Sequence, residues 1–321
     1  MIRISAGSAA CMGLTATKMD GYPTTAYFLS GSSCMMGCSF CPQGSGTDET
    51  IDRLGRVNWP GFTWEQAKEG LGRAEKAGIK RICLQSVRHN DGIDTLVEIV
   101  NRLKGLSNLP LSVSAWLGDR KEASALVLAG ADRISISLDV VNPGIYQKIK
   151  GGYLEQRLNL LLNCADYLPD KVSTHIMCGL GESEKEALQM IDRLVKAGVT
   201  IALFAFAPLK GTPLESGSPP PVDSYRRIQA GYYLLKENLV DFKSFKFKRG
   251  RLISFGLPEK DLEKYLSEGS AFQTTGCSGC NRPFYNERPG GIIYNYHRAL
   301  NGYEKNKVLD ELFKSLKRFE P

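Results

Sequence analysis

The chain has 321 residues, 42% of them hydrophobic and 23% charged, with a formal net charge of +7; this is the composition of a globular protein, not a disordered one, and its length allows one large domain or two ordinary ones. No apolar run is long enough to span a membrane, and Met1-Ile2-Arg3-Ile4-Ser5-Ala6-Gly7 lacks the apolar region of a signal peptide, so the expectation is a cytoplasmic protein without membrane association. Nine cysteines, an odd number, argue against a disulfide scaffold and for free thiols and metal ligands.

Residues 1–23, with Cys11 among small residues, show no helical or strand period and read as an irregular arm. Thr24 to Ser30 is an apolar, strand-like run, and the glycines and serines behind it set Cys34, Cys38 and Cys41 on a loop at a strand's end. Thr63 reads as the N-cap of a helix from Trp64 to Ala77, stopped by Gly78. Lys80 to Ser86 is a short apolar strand, and Asp91 or Asp94 opens a helix through Leu106. A strand from Leu111 to Leu117, a helix from Lys121 to Leu128, a strand from Arg133 to Asp139, a helix from Tyr153 to Leu168 and a strand from Val172 to Cys178 follow. Ser183, with Glu186 three residues on, has the pattern of a capping box and opens a helix to Ala197. A sixth strand from Ile201 to Ala207 precedes a helix from Asp223 to Asn238.

After residue 240 the rhythm breaks. Lys243 to Arg251 alternates Lys and Phe and reads as a strand with one wet face, a solvated edge in preference to a nucleic-acid surface. No other stretch suggests nucleic-acid binding, although a +7 surplus favours an acidic partner. Leu252 to Gly256, a helix through Leu266, a Gly- and Pro-rich loop with Cys277 and Cys280, and a helix from about Asn306 to Phe319 complete the chain. Six strand–helix alternations with short linkers predict an α/β fold of parallel strands with right-handed crossovers. A barrel and a doubly wound open sheet both fit, and in either the site lies at the carboxyl ends of the strands.

Cys34, Cys38 and Cys41 are spaced C-x3-C-x2-C. Three thiolates this close can hold three corners of a [4Fe-4S] cube, and where the usual electron-transfer cluster takes four cysteines, the fourth iron here stays open to a small molecule. A zinc site would call for a second Cys or His pair nearby, and the next cysteine is Cys83. Cys277 and Cys280 form a chelating C-x2-C, with Cys11 as the candidate third ligand; zinc or simple burial is the alternative there. Cys83, Cys164 and Cys178 lie in apolar segments and read as core. Of His89, His175 and His297, His175 is the one on a strand where it can face a lumen.

The motif C-x3-C-x-aromatic-C, with Phe40 before the last cysteine and a strand before the first, resembles the signature of the radical S-adenosylmethionine (radical SAM) superfamily. The resemblance implies a partial (β/α)6 TIM-type barrel over residues 24–240, with an N-terminal arm (1–23) and a C-terminal extension (241–321), and a [4Fe-4S] cluster that binds S-adenosylmethionine. Arg81 to Asn90 resembles the second-strand segment of biotin synthases, which implies Gln85 and Ser86 near the methionyl amine. Ser135 to Asp139 resembles the fourth-strand segment, which implies ribose contacts for Ser137 and Asp139. His175 to Glu182 resembles the fifth-strand motif beside the adenine, which implies roles for Gly179 and Glu182, and Phe206 to Leu214 resembles the turn after the sixth strand.

Thr275 to Gly291 is similar to the C-terminal signature of two-component lipoyl synthases. Sulfur-inserting members of the superfamily carry an auxiliary cluster that donates sulfide, which implies a second [4Fe-4S] cluster here on Cys11, Cys277 and Cys280, its fourth ligand coming from Arg251, Ser254, Ser278 or Arg282. The resemblance to lipoyl synthases further implies sulfur insertion into an unactivated C–H of an octanoyl chain. The partners would be an octanoylated carrier protein or lipoyl domain, a second lipoyl synthase component, and a reductant such as ferredoxin or flavodoxin. Two other readings stand beside it: a radical SAM mutase, lyase, methylase or biotin synthase-like enzyme on another small substrate, and a non-catalytic iron–sulfur or zinc protein.

Overall fold

Successive residues of a strand point to opposite faces of the sheet, and in this chain the two faces have different tasks. The computed structural model describes residues 1–31, 34–44, 53–88 and 92–317. It opens with β1 (Ile2–Ile4), α1 (Ala6–Cys11) and β2 (Thr25–Ser30), followed by the short strands β3 (Arg53–Leu54), β4 (Val57–Asn58) and β5 (Gly61–Phe62). Alternation then sets in: α2 (Trp64–Ala74), β6 (Arg81–Ser86), α3 (Gly92–Leu106), β7 (Leu111–Ser114), α4 (Arg120–Leu128), β8 (Arg133–Ser135), α5 (Pro143–Lys150), α6 (Leu154–Tyr167), β9 (Val172–Cys178), α7 (Glu184–Lys196), β10 (Thr200–Ala205) and α8 (Val222–Lys236). A hairpin of β11 (Lys246–Lys248) and β12 (Arg251–Ser254), then α9 (Glu259–Leu266) and α10 (Gly302–Lys317), complete the chain.

The six expected strands pair in parallel, in the order β2, β6, β7, β8, β9, β10. Because β10 ends one side of the sheet, the wall is a partial barrel. Loop 273–282 reaches across the gap between β10 and β2. The Leu203 N–H donates to Thr275 Oγ1 (2.9 Å), the Thr24 N–H to Asn281 Oδ1 (2.9 Å) and the Thr24 hydroxyl to the Gly279 carbonyl (2.6 Å). Outward-facing Phe28, Ile82, Leu84, Val113, Ile134 and Ile201 are fully buried with helix residues such as Val100, Leu126, Leu161 and Ile191. Their inward-facing neighbours Tyr27, Cys83, Ser112, Ser135 and Ala202 line a central cavity.

Three expectations need correction. The arm is not irregular: β1 pairs antiparallel with β2 and β5, because Ile2 and Ile4 alternate into the core, and Ser5 caps α1 by accepting from Ser8 N (3.3 Å). Helix α5 was not expected, although Asn142 caps it, accepting from Ile145 N (3.0 Å), and Pro143 occupies its first turn, where a missing N–H costs nothing. The fourth strand stops at Ser135, and Asp139 takes a left-handed φ of 62° while bridging to Ile176. The capping boxes at Thr63 and Ser183 form as expected. Asp94 lies in the first turn of α3, whereas Asp91, His89 and Phe319 lie outside the described residues. Lys246 and Lys248 are exposed on the hairpin, as a solvated edge requires.

One ionic network ties the barrel to the extension. Glu184, at the start of α7, takes two hydrogen bonds from Arg227 (2.6 and 2.9 Å), one from the Ser224 hydroxyl (2.7 Å) and one from Leu252 N (2.8 Å); the Arg227 and Glu184 side chains are 1% and 8% exposed. Removing one member of a buried pair strands the other, at a cost of about 3–5 kcal/mol. Glu184→Ala should therefore lower the guanidinium midpoint by an amount equivalent to several kcal/mol; an unchanged midpoint would show that Asp223 alone satisfies Arg227.

Candidate active site

The inward faces of the strands, the cysteine loop and residues 276–286 enclose a cavity of about 280 Å³. At its upper end, past the carboxyl end of β2, stand Cys34, Cys38, Phe40 and Cys41. Cys41 N donates to Cys38 O (3.0 Å), which turns the loop back on itself. Ser39, between these cysteines, is clamped on both sides: its N–H donates to Ile149 O (2.8 Å) and its carbonyl accepts from Leu214 N (3.2 Å). Burial pushes the Cys38 thiol up to about 11, opposed by the charge of Lys150, and pushes Cys41 up to about 12. These thiols thus stay protonated until a metal displaces the proton. Gln85 and Ser86, at the end of β6, and Ser137 and Asp139, beyond the end of β8, line the cavity near this end.

The opposite end holds a second thiol group, not the one expected. Cys277 and Cys280 face the cavity from loop 273–282, but Cys11 does not join them. Its thiol donates to Pro23 O (3.7 Å) and packs against the core. The cysteine that does join them is Cys83 on β6, which had read as core. Burial first, and then the neighbouring Cys277 and Cys280, raise it to about 12. The Tyr27 hydroxyl and Cys280 Sγ share a hydrogen bond (3.1 Å). Arg81 donates to Ser278 O (2.9 Å) and pairs with Asp132 (3.3 Å), fixing the loop beside Cys277. Of the four non-cysteine candidates Arg282 is at hand: it donates to Thr275 O (2.6 Å), lies 4.5 Å over the Phe204 ring and approaches Cys280 Sγ (3.9 Å). Arg251 instead pairs with Asp223, Ser254 Oγ accepts from Gly256 N, and Ser278, whose carbonyl accepts from Arg81, does not line the cavity. Among the described residues no three His, Cys, Asp or Glu side chains are gathered tightly enough to hold a single metal ion. Cys164 and Cys178 are buried, as core thiols should be.

Two of the expected cofactor residues serve the backbone. At Gly179, φ is +101° and an added Cβ would lie 2.7 Å from Pro220, so the close approach is to that proline. Glu182 closes its own turn, accepting from Gly179 N (2.7 Å) and Leu180 N (3.0 Å); neither residue lines the cavity. Ser137 Oγ is hydrogen-bonded to His175 Nδ1 (2.9 Å), and Asp139 Oδ2 is held by Lys150 (2.6 Å). Sequence reasoning missed Lys150 and Arg157, both buried and both lining the cavity. The Arg157 guanidinium stacks 4.0 Å from the Trp116 ring and donates to Leu117 O (2.5 Å), while its Nε has no partner among the described residues. A side slot of about 100 Å³ adjoins Phe40 and Cys41, walled by Met177, Phe206, Leu209 and Tyr285.

The sequence profile of the radical SAM superfamily matches residues 29–194, about half of the chain. The chain is 27% identical over 216 residues to a biotin synthase of Halorhodospira halophila, covering 65% of this chain and 64% of that one. It is 26% identical over 188 residues to a biotin synthase of Thermus thermophilus, covering 57% and 55%. The chain therefore spans between half and two thirds of the length of these relatives. Among solved structures, methylornithine synthase superposes with a TM-score of 0.52 at 18% identity, covering 66% of this chain and 62% of that one. The FeFe-hydrogenase maturase of Carboxydothermus hydrogenoformans gives 0.53 at 15%, covering 67% and 51%. These last two likenesses concern the fold. No helix among the described residues is long and apolar enough to cross a membrane.

His175 generates a pH dependence. Desolvation lowers it to about 4, against an ordinary value of 6.5; its partly exposed edge faces the cavity, where water softens that penalty. A depressed histidine leaves the folded state with fewer protons than the unfolded one below pH 6.5. Its contribution is therefore fully present above pH 6.5 and lost as pH falls toward 4, by about 1–3 kcal/mol in all. Urea unfolding at pH 7 and pH 4.5 should show this loss, and His175→Asn should flatten it; an equal slope in the variant would assign the loss to other groups.

Proposed function

The chain belongs to the radical SAM superfamily, and from that premise we propose that it is a sulfur-inserting enzyme of the lipoyl synthase type. The observation that carries the reading is one cavity with a set of three thiols at each end. The donor chemistry fits two iron–sulfur clusters: Cys34, Cys38 and Cys41 would hold the [4Fe-4S] cluster that binds S-adenosylmethionine, and Cys83, Cys277 and Cys280, with Arg282 beside them, an auxiliary one. When bound and given an electron by an external reductant, the first group would supply radical chemistry at an unactivated carbon and the second would supply sulfide for it.

The protein's part is to bind, orient and exclude water. Arg157, with a buried N–H unpartnered, is suited to the methionyl carboxylate, because a buried donor gains most from a charged acceptor. Asp139 is suited to the ribose. The apolar slot beside Phe40 is suited to the adenine. Between the thiol sets, Tyr27, Leu29, Val87, Met177 and Phe204 offer an apolar stretch for an acyl chain. An octanoyl-lysine on an acidic carrier protein or lipoyl domain is the proposed substrate, with a ferredoxin or flavodoxin as reductant and a second synthase component as a further partner. A second reading is favoured by Ser112, Ser114, Ser135 and Ser173, whose hydroxyls line the same cavity: a biotin synthase-like enzyme or mutase acting on a more polar small substrate.

Anaerobic reconstitution tests both parts. The chain should bind two clusters' worth of iron and sulfide. A Cys34→Ala, Cys38→Ala, Cys41→Ala variant and a Cys83→Ala, Cys277→Ala, Cys280→Ala variant should each keep about one, while Cys11→Ala keeps both. With S-adenosylmethionine, reductant and an octanoyl-lysyl peptide, isotopically labelled cluster sulfide should appear in the product. Unchanged iron in the second variant would remove the auxiliary cluster. A cleaved cofactor with no labelled product would move the chain to the second reading.

A further inference from the structure

Lys150 is a cation in a place where a cation is costly. Its side chain is 4% exposed and it borders the cavity, yet no step above uses it. A buried ammonium persists only when every proton is matched. Here each of the three is: Nζ donates to Ser137 O (3.0 Å), Leu138 O (3.1 Å) and Asp139 Oδ2 (2.6 Å). These three acceptors are consecutive residues, and the last has a left-handed φ of 62°, a region that Asp enters more readily than most side chains. Lys150 thus gathers the chain beyond β8 into a turn and fixes the carboxylate at its tip. Asp139 Oδ1 has no partner among the described residues, and the side chain keeps 15% of its surface open.

The residue before Lys150 is tied to the other half of the site. Ile149 O accepts from Ser39 N (2.8 Å) and from the Ser39 hydroxyl (3.3 Å), and Ser39 stands between Cys38 and Cys41. The last turn of α5 therefore holds the cysteine loop with one residue and the Asp139 carboxylate with the next. Gly151, at φ 74°, ends the helix there, and a lysine at a helix carboxyl end also meets the favourable end of the helix dipole.

We propose that Lys150 is a positioning residue for the nucleoside: it takes up Asp139 Oδ2 and aims Oδ1 at the ribose hydroxyls, from a helix end whose Ile149 carbonyl also holds the cysteine loop. The proposal rests on the reading of this cavity as a nucleoside site. It predicts that Lys150 acts only through Asp139, so that losing either residue costs the same interaction.

The test uses the iron-loaded protein with methionine present and measures dissociation constants for 5′-deoxyadenosine and for its analogue lacking both ribose hydroxyls. The wild type should prefer the hydroxylated nucleoside by about tenfold or more, as for a hydrogen bond to a charged group. Lys150→Met and Asp139→Asn should each reduce that preference toward unity with iron content unchanged, and the double variant should lose no more than either single one. Lys150→Arg should restore part of the preference. If Lys150→Met does not hold iron, Lys150→Gln, which keeps length and a donor, is read the same way. A wild-type preference retained in these variants, or losses that add in the double variant, would overturn the role of Lys150 and leave the nucleoside site standing. A wild type that binds neither nucleoside would overturn both.

Discussion

A parallel sheet that does not close leaves two strand edges facing each other across a gap, and the site depends on what fills it. Loop 273–282 does so by borrowing the edges' own polar groups: Leu203 N on one side, Thr24 on the other. The loop is poor in regular structure because it must satisfy side chains and backbone on two strands at once, and glycines at 276 and 279, both with positive φ, let it turn inside that space. Its placement turns an open wall into a cavity with a floor. It also carries Cys277 and Cys280 to within electrostatic reach of Cys83, from nearly 200 residues away in sequence.

The charges follow the same division. Each end of the cavity combines thiols raised by burial, Cys38 and Cys41 above, Cys83 and Cys277 below, with cations nearby: Lys150 at the upper end, Arg81 and the half-buried Arg282 at the lower. A buried cation left unmatched would be strongly destabilising. Backbone carbonyls take part of each charge, with Asp139 for Lys150 and Asp132 for Arg81, whose Nε has no partner among the described residues. Between the two ends the wall is mixed: Leu29, Val87, Met177 and Phe204 give it apolar stretches, and Ser112, Ser114, Ser135 and Ser173 give it hydroxyls.

Much of this was legible in the sequence, and the misses have physical reasons. Strand and helix periods gave the six parallel strands in order, and the spacing of Cys34, Cys38 and Cys41 marked the upper site. The arm was missed because three residues, Ile2 to Ile4, are too few to display a period, though they add a strand. Cys83 was misread although the needed signal was present: Gln85 had been assigned to the site, and residues two apart on a strand share a face. Reading the Cys pair by elimination led to Cys11, which the fold keeps on the far side of Pro23. Lys150 and Arg157 come from helices, where a lysine or arginine ordinarily means a wet surface; only tertiary packing shows that these two are buried.

The central claim is that thiols from two distant segments, β6 and loop 273–282, meet opposite the Cys34, Cys38 and Cys41 loop across one cavity. The most direct measurement is iron anomalous scattering from crystals of the anaerobically reconstituted protein. Two iron centres should appear, one bounded by Cys34, Cys38 and Cys41, the other by Cys83, Cys277 and Cys280. A single centre, or a second one ligated by Cys11, would contradict the account.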